Sequence, residues 1–262
     1  MMTSHSLYPT LCALKPANHK PGVIAIVGAG GKTHAVYCLA RLLKEHGHSV
    51  CVTTTTKMYL PQSTVVDKLH STTRFSDIHS HKAEITFVYK ERIETRNQPQ
   101  KIKGFTKLEI ESLLKTDQFD YVLIEADGSK GLPLKAPARH EPCIPKQAQL
   151  VIGVTSAELL FTTAEPGRIH RWETFSQLTK CCEGDQIDEA VIERLLTSTK
   201  GLFKQAPTNA ARIWLINKMD LAINRQATEA LAENLFNKIP ELNEIWLTEL
   251  NQKEPIYKKL SR

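Results

Sequence analysis

Val23-Ile24-Ala25-Ile26-Val27-Gly28-Ala29-Gly30-Gly31-Lys32-Thr33 is the stretch on which the reading of this chain turns. Five apolar residues, mostly aliphatic with a β preference, run into a loop of small residues, and a helical pattern begins at the lysine. The order is strand, glycine loop, helix. Gly28, Ala29, Gly30 and Gly31 let the backbone wrap closely round an anion, so that successive N–H groups and the positive helix start face phosphate oxygens. Lys32 then reaches the outer phosphates as a point charge, and the Thr33 hydroxyl is offered to a magnesium ion. The usual eight-residue pattern opens with a glycine five residues before the one that precedes the lysine, and here that place is Ile26, so the loop is a compact form of the pattern.

Working outward, Val36, Leu39, Ala40 and Leu43 recur at helical spacing, and Gly47 supplies the stop. Ser49 to Thr53 reads as a second strand running into Thr53-Thr54-Thr55-Thr56-Lys57-Met58. A helix of about a dozen residues between two strands is the crossover that sets them parallel, and parallel sheets carry their sites at the carboxyl ends of their strands. A hydroxyl of the threonine run, Thr54 in particular, is a candidate for the metal shell, although four threonines also suit a plain strand edge. Pro61 to Lys82 reads as a solvated loop whose His79 and His81 lack further ligands. Ile85 to Tyr89 is a short strand, Ile102 to Phe105 a hairpin return, and Leu108, Ile110, Leu113 and Leu114 mark a helix.

Tyr121-Val122-Leu123-Ile124 is the next core strand and ends in Glu125-Ala126-Asp127-Gly128. A carboxylate at a strand end can reach a magnesium shell without being buried unpaired. Glu125 and Asp127 both qualify as catalytic or metal-holding groups, and the Gly128 N–H is placed to sense a γ-phosphate. The four prolines of Ser129 to Pro145 exclude regular structure, while Lys130, Lys135, Arg139, His140 and Glu141 suit a substrate or partner loop. His140, Glu141 and Cys143 form a weaker candidate for a soft-metal cluster.

These three ordered blocks, Val27 to Thr33, Thr53 to Met58, and Glu125 to Ser129 running into Leu132-Pro133-Leu134-Lys135-Ala136-Pro137 and His140-Glu141-Pro142, resemble the YqeC family, over roughly the first 150 residues. Members of that family are accessory proteins of selenium-dependent molybdenum hydroxylases. The resemblance implies a nucleotide-binding role in maturing such an enzyme, with the hydroxylase or its maturation factors as partners.

Downstream, Leu150 to Val154 is another buried strand, and Ile187 to Leu196 a helix; between them Thr155 to Cys182 carries Arg168, His170, Arg171 and Trp172, a basic and aromatic cluster that either meets a substrate or, the favoured reading, belongs to an irregular surface segment. Ile213-Trp214-Leu215-Ile216 leads into Asn217-Lys218-Met219-Asp220. A strand ending in N-K-x-D is how guanine-specific proteins read their base: the aspartate accepts from two ring-edge N–H groups that adenine lacks. Asp220 also fits a plain N-cap for the next helix. Ile245 to Leu247 is a last strand, followed by a short tail.

The 262 residues suffice for one large core, and the alternation of strands and helices predicts an α/β fold: a three-layer, mostly parallel sheet with helices on both faces, P-loop NTPase-like. We read 1–20 as a loosely held lead-in and 21–262 as a single nucleotide-binding domain. A net charge of +6 is modest and scattered, which argues against a nucleic-acid stripe, and no window is apolar enough for a membrane span. The six cysteines show no C-x-x-C pair, and a cytoplasmic location is expected. The expected function is a Mg2+-dependent NTPase using GTP in preference to ATP. The alternatives are a nucleotide-gated metal or cofactor delivery protein without hydrolysis, and an ATP-dependent kinase or ligase-like enzyme.

Overall fold

The computed structural model describes residues 7–14, 20–94, 100–252 and 255–262. In chain order the elements are α1 (Tyr8–Cys12), β1 (Gly22–Gly28), α2 (Lys32–Glu45), β2 (Ser49–Thr54), β3 (Lys57–Tyr59), β4 (Lys68–Ser71), β5 (Glu84–Tyr89), β6 (Glu91–Ile93) and β7 (Lys101–Lys103). They continue with α3 (Lys107–Leu114), β8 (Tyr121–Glu125), β9 (Leu134–Lys135), β10 (Leu150–Ser156), β11 (Ile169–His170), α4 (Trp172–Thr179) and α5 (Glu189–Thr197). β12 (Ala211–Asn217), α6 (Arg225–Lys238), β13 (Glu244–Thr248) and β14 (Ile256–Ser261) complete the chain.

Nine strands form one sheet in the order β14-β13-β12-β10-β1-β8-β2-β5-β4. Every neighbouring pair is parallel except β13 with β14. The central strands are buried along their full length, as a sheet covered on both faces requires. Alternation along β1 shows the two faces: Val23, Ala25 and Val27 belong to a core shared with α3, α5 and α6, whereas Ile24 and Ile26 pack into a second core with α2 and Leu11 of α1. The result is the expected α/β three-layer architecture. Side by side in the register, Ile26, Glu125 and Thr54 bring the ends of β1, β8 and β2 to one edge, where Ser156 and Asn217 close β10 and β12. That edge is the carboxyl end of the parallel strands, where α/β sheets hold ligands.

Several sequence expectations are corrected. The 61–82 stretch contains the edge strand β4 and a single 3-10 turn, Phe75–Asp77, and the segment after Ile245 to Leu247 contains β14. Both strands carry charged, half-exposed residues, so the period that betrays an interior strand is missing. The 155–182 segment holds β11 and α4, with Phe175 buried. β11 pairs with β9, so the proline-rich segment does hold a two-residue strand, fitted between Pro133 and Pro137, although the prolines argue against regular structure there. The lead-in is anchored where it is described, with Leu7 and Leu11 buried; the rest of that expectation lies outside the described residues. β7 does return as a hairpin partner, lying between β3 and β6 in a small antiparallel sheet.

Candidate functional site

The glycine loop is fixed from below by the strands around it. Ala29 N–H donates to Val154 O at 2.9 Å, Gly30 N–H to Leu132 O at 3.1 Å, and Gly28 N–H to Asp127 Oδ2 at 3.1 Å. Asn217, at the end of β12, donates from Nδ2 to Gly30 O at 2.9 Å, while its Oδ1 accepts from Thr248 Oγ1 and Leu250 N–H. Gly31 has φ 132°, and a Cβ built there would lie 2.2 Å from that Asn217 nitrogen. Only glycine meets both conditions at once. α2 starts directly after it with no side-chain cap and no acidic residue in its first turn, so the positive end of the helix dipole is left open to an anion.

Lys32 is 3% exposed. Its Nζ donates to Gly28 O at 2.7 Å and Ser129 Oγ at 3.0 Å, and lies 3.4 Å from Asp127 Oδ1. Thr33 Oγ1 donates to Glu125 Oε2 at 2.8 Å, the one side-chain hydrogen bond this buried carboxylate makes among the described residues. Burial pushes the Glu125 carboxyl above its ordinary range, opposed by the Lys32 charge and the Thr33 bond and reinforced by Asp127. A desolvated carboxylate and a hydroxyl that share one hydrogen bond make a pair of hard oxygen donors of the kind Mg2+ takes, so these residues fit the ion.

The two carboxylates that sequence left unranked are separated by the structure. Glu125 lines a cavity of about 980 Å³ together with Gly30, Gly31, Lys32, Thr33 and Gly128. Asp127 is 1% exposed and lies under the loop, where Gly28 N–H, Lys32 and Lys135 hold it. Thr54 is fully buried: its hydroxyl donates to Glu125 O at 2.9 Å and accepts from Thr56 N–H at 3.0 Å, so it is spent on the backbone, and of the threonine run it is Thr56 that lines the cavity.

Of the partner-loop residues, Lys130 lines the cavity and is exposed, and Arg139 and His140 are exposed on the surface. Lys135 is corrected from a surface contact to a core residue. It is 1% exposed, and its Nζ donates to Asp127 Oδ2 at 2.9 Å, Gly128 O at 2.6 Å and Glu141 Oε2 at 2.9 Å. Glu141 in turn accepts from Arg171 Nη2 at 3.0 Å. Burial alone would raise the Glu141 pKa, but the hydrogen bonds from Arg171 and Lys135 outweigh it and hold the group at about 2. Ser129, which accepts from Lys32 Nζ, is the residue to which sequence reasoning assigns no site role, while Arg171, read as either a substrate contact or part of a surface segment, lines the cavity. Arg171 precedes α4 in the left-handed region, φ 62°, a conformation that non-glycine residues adopt at a cost, and its side chain lies at the cavity edge on Glu141. Among the described residues no group of three or more His, Cys, Asp or Glu is placed to hold a metal, so His140, Glu141 and Cys143 do not form one.

At the end of β12, Lys218 pairs with Glu158 at 2.8 Å and Asp220 is exposed in the single turn Met219–Leu221. Asp220 is not a helix cap: α6 is capped by Asn224, whose side chain accepts from Ala227 N–H at 3.0 Å. The described residues include no helix long and apolar enough to cross a membrane.

The profile of the YqeC protein family matches residues 24–173, a span that runs from the first core strand through Arg171. The chain belongs to the YqeC family. An uncharacterized YqeC protein of Escherichia coli (strain K12) is 33% identical to it over 243 residues, which is 93% of each chain. The family span therefore takes in the glycine loop, Glu125, Asp127, Lys135, Glu141 and Arg171, while the relative extends over the Asn217 region as well.

Proposed function

We propose that this YqeC-family chain binds a nucleoside triphosphate with Mg2+, GTP in preference to ATP, and serves the maturation of a selenium-dependent molybdenum hydroxylase. The observation that carries the nucleotide reading is the Thr33–Glu125 hydrogen bond of 2.8 Å at the uncapped start of α2, with Lys32 beside it. Thr33 and Glu125 would hold the ion, which when bound neutralises phosphate charge. Lys32 leaves Gly28 O and Ser129 to meet the outer phosphates, and the open N–H groups of the α2 start take the inner ones. Asp220, exposed beside the Asn217 that grips the loop, is available to accept from guanine's ring edge. The hydroxylase role rests on family resemblance.

A nucleotide panel with Mg2+ on wild type and Lys32→Ala tests this directly. Tight triphosphate binding by wild type that collapses in the variant is expected, and equal affinity in both sinks the reading. Asp220→Asn should erase the preference for guanine over adenine; an unchanged preference refutes base reading. The burial of Asp127 favours a second reading. With that carboxylate held under the loop it is not positioned to orient a water, so the chain suits a nucleotide-gated delivery protein in which hydrolysis is slow or absent. Phosphate release at background, with nucleotide still tightening partner binding, would select this second reading.

A further inference from the structure

The cavity that contains the glycine loop is larger than a triphosphate tail needs. Its volume of about 980 Å³ lies at the top of the range of roughly 300–1,000 Å³ that encloses a whole drug-sized ligand. Beyond Lys32 and Thr33 it continues to a wall built by other elements: Lys57 and Tyr59 of β3, Lys101 of β7, and Lys130, His170 and Arg171. β3 and β7 pair so that Tyr59 lies opposite Lys101, whose Nζ sits 5.1 Å from the tyrosine ring centre.

The charge on this wall is one-sided. Of the two carboxylates lining the cavity, Glu141 is engaged by Lys135 and Arg171, and Glu125 accepts from Thr33. Lys57, Lys101 and Lys130 have no carboxylate partner among the described residues. Burial and the charges of Lys135 and Arg171 hold the His170 imidazole below its usual value, as expected in a positive field. Cations drawn from three separate segments into one concave space repel each other unless an anion lies between them.

We propose that the Lys57, Lys101 and Lys130 side of the cavity is a second subsite, built for a polyanionic small molecule bearing phosphate or carboxylate groups, seated beyond the outer end of the triphosphate. This rests on the triphosphate reading above and adds a second ligand to it. Met58 and Tyr59 give that ligand an apolar strip for its body.

The test uses the full chain saturated with Mg2+ and a non-hydrolysable triphosphate analogue, titrated with pyrophosphate and, separately, with citrate. Calorimetry reads the affinity, and the ring resonances of His170 report occupancy. At least one anion should bind the loaded protein and shift the His170 signals, and which of the two binds distinguishes phosphate from carboxylate. Lys57→Ala with Lys101→Ala should weaken that anion by more than about tenfold, the loss expected when charge-assisted hydrogen bonds are removed. The same double variant should change triphosphate affinity by less than about threefold. No anion binding to the loaded wild type overturns the proposal. So does an equal loss of triphosphate affinity, which would assign both lysines to the triphosphate itself. If wild type takes up no triphosphate, that reading fails by itself, and pyrophosphate titration of the unloaded chain decides the subsite: sensitivity to the double variant but not to Lys32→Ala supports it, and the reverse overturns it.

Discussion

Lys135→Met removes a buried ammonium and keeps the length of its stem. In the native chain the group serves Asp127, Glu141 and the Gly128 carbonyl at 2.9, 2.9 and 2.6 Å, all within a region that is almost entirely shielded from water. Breaking a buried pair from one side costs about 3–5 kcal/mol, because a charge is left without its partner. Two cations remain nearby: Lys32 is 3.4 Å from Asp127, and Arg171 is 3.0 Å from Glu141. Each carboxylate therefore keeps one opposite charge, which places the expected loss at the lower end, about 3 kcal/mol. Urea denaturation at neutral pH measures it. The gap to wild type should narrow on acidification, since Lys135 helps to hold the Glu141 pKa down and Glu141 takes up its proton at higher pH once that lysine is gone. A loss below about 1 kcal/mol, the value of an exposed pair, or a loss that does not change with pH, refutes the assignment of Lys135 as the hub.

Glu125→Gln should stabilise the ligand-free protein above the pKa of the free carboxyl. The native group is raised by burial, so its contribution is full below the unfolded value and is lost as pH rises through the folded one; thermal melts at acid and alkaline pH should show the gain only at the latter, while Mg2+-dependent triphosphate binding falls. Gly31→Ala should lose about 1–3 kcal/mol in urea, from left-handed strain, and weaken the Asn217 grip on the loop that a Cβ 2.2 Å away would displace. Asn224→Ala should destabilise by about 1 kcal/mol through loss of the α6 cap, whereas Asp220→Ala should stay within about 0.5 kcal/mol; the opposite ranking in denaturation curves would return Asp220 to a capping role.

The glycine loop and the carboxylate strand were legible because each combines an unbroken aliphatic run with an abrupt change to Gly or acid, a contrast that only a buried parallel strand meeting its ligand edge produces. Lys135 was misread for the opposite reason. Prolines at 133 and 137 suggest an irregular path, which ordinarily runs over the surface; that the two residues between them, Leu134 and Lys135, instead form a strand under the loop depends on β11, Asp127 and Glu141, whose approach no spacing rule encodes. Sequence favours a surface segment over a substrate contact for Arg171 because β11 is two residues long and its partner β9 lies 35 residues away in register. Glu125 and Asp127 could not be ranked because strand alternation ends at Glu125, and the turn after it sends the second acid below the loop. β4 and β14 escaped since an edge strand is held by its neighbour's backbone, while its own side chains are free to be Lys, His or Ser.

Lys32 rests with its ammonium turned inward, tethered to a carbonyl, a serine and an aspartate. In that posture the loop advertises little free charge, and a weakly charged visitor such as a lone monophosphate has no strong means of drawing the side chain out. Only a ligand with dense negative charge can compete for that ammonium. On the proposed triphosphate reading, the resting tether would act as a filter on occupancy, raising the charge density a ligand needs before it displaces these contacts.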